Sequence, residues 1–297
     1  MMPYTFPSEF ERGSQAQREA TGLVHEQVPQ AKEAFTCLMP PTLREVLEGL
    51  LDEAVREINE EDQESSDHAR DLYLHDDETV HMALRKEAIS LVPYLLYKYC
   101  SSRPVTEMEM LNRVTGGYQH YFSVILDKAS VCMQLLFGIE LKEVDPIVHT
   151  HVLGIAAGIT YDGILSHVLG MPKTGLLIII LCIIFTEGNY ATEDVIWQVL
   201  SRMEVYPDRE HFLYGNPRKL LMEDFVWEQY LVYQQVPGSD PTVFMFMWGP
   251  RAYAETTKMK VLEHWAKFSR IDPRSFASLY DEALREEDGE NTHDDTL

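Results

Sequence analysis

His149 and His151 form an H-x-H pair on one face of an alternating segment, with Asp145 just upstream. Two imidazoles and a carboxylate can begin a metal site, but such a site needs a fuller ligand set. No further ligand cluster is visible, so solvated or core histidines beside a wing are the plainer reading. The chain carries no G-x-S-x-G, Walker loop, H-E-x-x-H or paired catalytic carboxylates. Its cysteines, Cys37, Cys100, Cys132 and Cys182, are far apart and form no C-x-x-C pair. They read as buried free thiols in a reducing compartment, not as a zinc ribbon or redox pair. No catalysis, metal or cofactor is expected. "LEGLL" sets Leu47, Leu50 and Leu51 at the L-x-x-L-L spacing by which short helices enter nuclear-receptor grooves. The same leucines equally suit a helix that docks on its own domain.

Charge narrows the partners. Of 297 residues, 48 are acidic and 25 basic, a formal net charge of -23. Nucleic-acid affinity rests largely on Lys and Arg displacing counterions, and anionic membranes also favour basic surfaces. Neither nucleic acid nor membrane is therefore an expected partner; proteins are. The N-terminus has no basic stretch followed by an apolar one, so no secretory signal is read and an intracellular protein is expected.

The elements that must position these residues fall into an arm, two similar units and a tail. Residues 1–83 read as an acidic, mostly disordered arm; "NEEDQESSDHARD" has no periodicity. Within the arm, residues 42–58 follow an i, i+3, i+4, i+7 apolar pattern behind a T-x-x-E capping box at Thr42 and Glu45, which predicts a short amphipathic helix. Residues 84–166 read as helix, short extended segment, helix capped by Thr106, helix, and two alternating strands. Residues 167–285 repeat that order, with a hairpin turning at "PGSDP". Three short helices and a two-stranded wing describe a winged helix. The expected fold is mainly α (α+β), with tandem winged-helix units in one compact domain and an acidic tail at 286–297. "GLLIIILCII" is then the first helix of the second unit, buried all round; it falls short of the roughly 20 apolar residues a membrane span needs. The third helices carry few basic residues: Lys128 in one unit, and Arg218 and Lys219 beside Glu223, Asp224 and Glu228 in the other. Those faces do not suit DNA.

Several of these stretches resemble the MAGE (melanoma antigen) homology domain. They are "MPKTGLLIIILCIIFTEGNYATEDVIWQVL", "GNPRKLLMEDFVWEQYLVYQQVPGSDPTVFMFMWGPRAYAET", "FGIELKEVDP", "PVTEMEML" and "TYDGIL". The likeness runs over roughly residues 84–285, and "EATGLVHEQ" in the arm resembles the type I, A-like branch. The resemblance implies tandem winged helices and a non-enzymatic adaptor that binds RING-type E3 ubiquitin ligases and modulates their activity or substrate choice. It also implies links to negative regulation of transcription, with transcriptional repressors or histone deacetylases as partners, and residence in nucleus and cytoplasm. A co-regulator working through protein contacts without ubiquitin is the alternative. The family's ligase-binding leucine pair corresponds to Leu95 and Leu96, with Leu91 and Tyr99 on the same helix. From periodicity, Leu91, Val92, Leu95 and Tyr99 fill the inward stripe and Leu96 lies toward an edge; plain core is the alternative reading, more for Leu95 than for Leu96. Pro93 departs from the family pattern, and predicts either a helix that starts near Ser90 or one that bends there.

Overall fold

The computed structural model describes residues 71–115, 117–164, 170–269 and 272–291. The helix expected at 42–58, with Leu47, Leu50 and Leu51, lies outside the described residues, as does most of the acidic arm. The first unit runs α1 (Asp71–Cys100), β1 (Val105–Thr106), α2 (Glu107–Leu111), α3 (Phe122–Phe137), β2 (Ile139–Asp145) and β3 (Thr150–Ile155). Its strands form an antiparallel sheet in the order β1-β3-β2. Thr106 starts α2 with a capping box: the Glu109 N–H donates to its hydroxyl (3.2 Å) and its own N–H donates to the Glu109 carboxylate (3.0 Å). At the other end of α3, Gly138 takes φ 64°, which turns the chain into β2.

The first helix corrects two expectations. It begins at Asp71, so residues 71–83 belong to a helix and not to the arm. Charged, weakly periodic sequence hides that start; packing farther along holds the helix. Pro93 consequently sits deep inside α1, which removes the reading in which the helix starts near Ser90. Having no N–H, it leaves the Ile89 carbonyl without its usual intrahelical donor.

The second unit repeats the plan. It runs α4 (Thr174–Thr186), β4 (Ala191–Thr192), α5 (Glu193–Ser201), α6 (Pro217–Lys219), a π turn at Leu220–Asp224, α7 (Phe225–Trp227), β5 (Leu231–Gln235) and β6 (Phe244–Trp248). Its sheet order, β4-β6-β5, reproduces that of the first unit, and both are winged helices. Thr192 stands at the α5 N-cap position, but its side chain makes no capping bond; Asn216 does cap α6, accepting from the Lys219 N–H (2.9 Å). Every residue of α4 from Thr174 to Phe185 is buried. The helix packs on α3 of the first unit as well as on β6. A Cβ on Gly175 would strike the carbonyls of Leu135 and Leu136, so glycine is what lets α4 approach α3 so closely. Among the described residues, no helix is long and apolar enough to cross a membrane.

Among the described residues, three α-helices follow the second wing: α8 (Pro250–Glu255), α9 (Lys258–Ser269) and α10 (Ala277–Asn291). The last continues past the expected start of the tail at 286 because it is pinned there. Lys258, itself buried, bonds Glu282 (2.8 Å) and Glu286, and the Thr257 hydroxyl donates to Glu287 (3.0 Å). Charge on this stretch suggested tail; in the fold its carboxylates hold a strap.

Candidate functional site

An open cleft of about 1370 Å³ runs between the segment Thr160–Ile164, which leaves the first unit, and the π turn and α7 of the second. Local sequence sets its shape. Asn216 and Pro217 start the helix, the π turn inserts an extra residue into the helical register, and α7 ends at Trp227. The chain then reverses at Gln229, whose φ is 62°. Gly249 permits that reversal, since a Cβ there would run into the Gln229 carbonyl. The outcome is an indole left 85% exposed on the cleft wall, beside Met222 and Val226. Across from it, the Tyr161 ring lies edge-on to Phe225 (6.2 Å) and near Tyr230 (5.9 Å). Burial, then the carboxylates of Asp224 and Glu228, push the Tyr161 hydroxyl up to about 12.

One network ties the two walls together. Glu255 accepts from the Thr160 N–H (2.8 Å) and hydroxyl (2.7 Å), from Arg251 Nε (2.8 Å) and from the Tyr230 hydroxyl. Arg251 also pairs with Glu228 and lies over the Tyr230 ring at 4.7 Å. Burial alone would raise the Glu255 carboxyl, but the donors from Arg251, Thr160 and Tyr230 outweigh it and hold the group down at about 2. Arg251 is paired with two carboxylates, and Asp162, Glu223, Asp224, Lys173 and Lys219 also line the cleft. Among the described residues, no cysteine, histidine or serine lines the cleft. What it offers is an apolar wall, a polar rim and a preset shape, the attributes of a binding groove.

The residues singled out from sequence lie elsewhere. Leu91, Leu95 and Leu96 are core residues of α1, and both members of the pair are 0% exposed. The expected position of Leu96 at an edge is therefore corrected: α1 packs on both α3 and β3, so its buried arc is wide enough to take adjacent positions. Tyr99 comes nearest the groove. Its hydroxyl donates to Asp162 (2.8 Å), and burial followed by that carboxylate raises it well above the usual tyrosine range. His149 and His151 do not converge on a ligand set; among the described residues no cluster of His, Cys, Asp and Glu could hold a metal. His149 Nδ1 instead lies 2.7 Å from Glu143. Cys132 and Cys182 are buried free thiols, pushed by burial up to about 12.

Trp227 is hidden in the sequence because an aromatic at the end of a helical pattern reads as core. The usable signals were the Arg251–Glu255 spacing and "TYDG", which the fold brings together across more than ninety residues.

Residues 149–259 match the MAGE homology domain. Melanoma-associated antigen 11 of Homo sapiens is 54% identical over 204 residues, which cover 69% of this chain and 48% of that protein. Melanoma-associated antigen 10 of Homo sapiens is 50% identical, over 68% of this chain and 55% of that protein. The chain thus spans about half the length of these two relatives. Melanoma-associated antigen 6 of Homo sapiens is 41% identical over 303 residues, covering 93% of this chain and 95% of that protein. Among solved structures, a chain of the Nse1-Nse3-Nse4 complex is 34% identical, over 68% of this chain and 97% of that one, with a TM-score of 0.38. So loose a superposition adds nothing to the fold described above.

Proposed function

The chain belongs to the MAGE family, and from that premise we propose that it is a non-enzymatic adaptor that binds a RING-type E3 ubiquitin ligase. The observation that supports this reading best is the Trp227 groove. An exposed indole on a preset wall is the kind of anchor around which protein interfaces form, because it supplies large apolar area at little entropic cost. In this reading the groove takes an extended segment of the ligase. Leu91, Leu95 and Leu96 serve the ligase contact indirectly, by holding α1 in place, and Tyr99 serves it by holding Asp162. Regulation of transcription, residence in nucleus and cytoplasm, and repressors or histone deacetylases as further partners rest on the family resemblance alone.

The test is to purify complexes of the wild-type chain and of Trp227→Ser from cells. A RING protein in stoichiometric amount with the wild type, lost from the variant, supports the proposal. Stoichiometric ligase on both sinks the groove assignment. Its absence from both sinks the adaptor reading and favours a co-regulator without ubiquitin.

A further inference from the structure

The wing of the first unit is built unlike a solvent-facing hairpin. Its tip carries Val144 (53% exposed), Ile147 (89%) and Val148 (58%), three β-branched apolar residues in a chain of net charge -23. The tip is also held still. Asp145 Oδ1 accepts from the N–H groups of Ile147 (2.8 Å) and Val148 (3.3 Å), and the His149 carbonyl accepts from the Glu107 N–H (3.0 Å). Scattered exposed apolar side chains need no explanation, but a clustered and rigidly presented set does. Carboxylates lie on one side of it: Glu107 and Glu143 flank the neighbouring His149, and Asp145 braces the turn. β2 is the outer strand of its sheet, which leaves this side of the wing open among the described residues.

From this arrangement we propose that the wing tip is a second docking surface, separate from the Trp227 groove, and that it takes a basic amphipathic helix of a partner protein. The apolar stripe of such a helix covers Ile147 and Val148, while its flanking Lys and Arg meet the carboxylates beside the tip. Charge complementarity decides between occupants. A second copy would set one acidic wing against another, and an anionic lipid surface would meet the same carboxylates.

The test uses the full chain and a synthetic 18-residue Leu/Lys amphipathic helix as probe, with its Leu/Glu counterpart as control, followed by fluorescence anisotropy. The chain as a whole attracts cations, so the informative variant is Ile147→Ser with Val148→Ser, which leaves charge unchanged. The wild type is expected to bind the Leu/Lys helix, the Leu/Glu helix to bind at least about tenfold more weakly, and the variant to lose about tenfold in affinity for the former. Thermal melting of the variant should match the wild type, because both side chains are exposed. Equal binding of the Leu/Lys helix by variant and wild type overturns the proposal. So does a concentration-dependent dimer abolished by the variant, which assigns the tip to self-association. Cosedimentation with phosphatidylcholine vesicles through the same two residues also overturns it, in favour of lipid.

Discussion

Replacing Leu95 and Leu96 together by alanine separates a contact role from a core role, and the structure commits to the second. Both side chains are completely buried where α1 meets α3 and β3. Removing a fully buried leucine side chain costs about 2–5 kcal/mol, combining lost transfer free energy with the cavity left behind. The two sites are adjacent, so their costs need not add, but a combined loss of roughly 4–8 kcal/mol is the central expectation. That approaches the whole stability of a typical domain, about 5–15 kcal/mol. The double variant should therefore melt at least about 8 °C lower than the wild type, or fail to fold, at roughly 2–4 °C per kcal/mol. Loss of ligase binding would then follow from loss of fold. Leu96→Met supplies the control: it nearly conserves volume, should cost less than about 1.5 kcal/mol and should keep binding. The assay is thermal melting by circular dichroism beside ligase pull-down. A double variant that melts within a few degrees of the wild type yet no longer binds would refute the reasoning and make the leucines a contact surface.

Other consequences follow from the same geometry. Glu255 is held at about 2 against an ordinary 4.5, so its contribution is present above pH 4.5 and is lost as pH falls toward 2. The shift corresponds to about 3 kcal/mol at face value and, screened at this partly exposed site, to roughly 1–2 kcal/mol. Glu255→Gln should lower stability by that amount at pH 7 in urea titrations, with the difference from wild type closing near pH 2. His149 titrates above its ordinary 6.5 because of its hydrogen bond to Glu143, aided by the charge of Glu107. Its NMR midpoint should fall in Glu143→Gln; an unchanged midpoint would contradict the pairing. Stability from that pair is present at low pH and is lost as pH rises through the folded-state value. Lys258→Ala should leave Glu282 and Glu286 without their buried cation and raise hydrogen exchange in α10, whereas unchanged exchange would show that apolar contacts alone hold that helix.

Much of the architecture was legible because caps and apolar runs agree with packing. Thr106 and Glu109 spell a capping box, and the continuous apolarity of α4 matches a helix buried between two units; the alternation read in β2 and β3 is not matched by alternating burial. Boundaries failed where charge misled. Residues 71–83 and 286–291 look like arm and tail, but one belongs to a long packed helix and the other to a strap pinned through Lys258. The groove was the least legible feature. Whether Trp227 points inward or outward depends on a π turn and on the positive φ of Gln229, and neither has a signature in residue type. Its clasp joins Thr160 to Arg251 and Glu255, and only the chain's return brings those residues together. The leucine pair shows the converse. A resemblance marks Leu95 and Leu96 for a partner, whereas packing places both side chains in the core.

Hydrogen exchange on the full chain, free and mixed with a RING-type ligase recovered by the purification proposed above, tests the central claim most directly. The groove account predicts new protection in residues 160–164 and 219–229, with Trp227 fluorescence changing on binding. Protection confined to other surfaces, with those two segments exchanging as in the free chain, would contradict it.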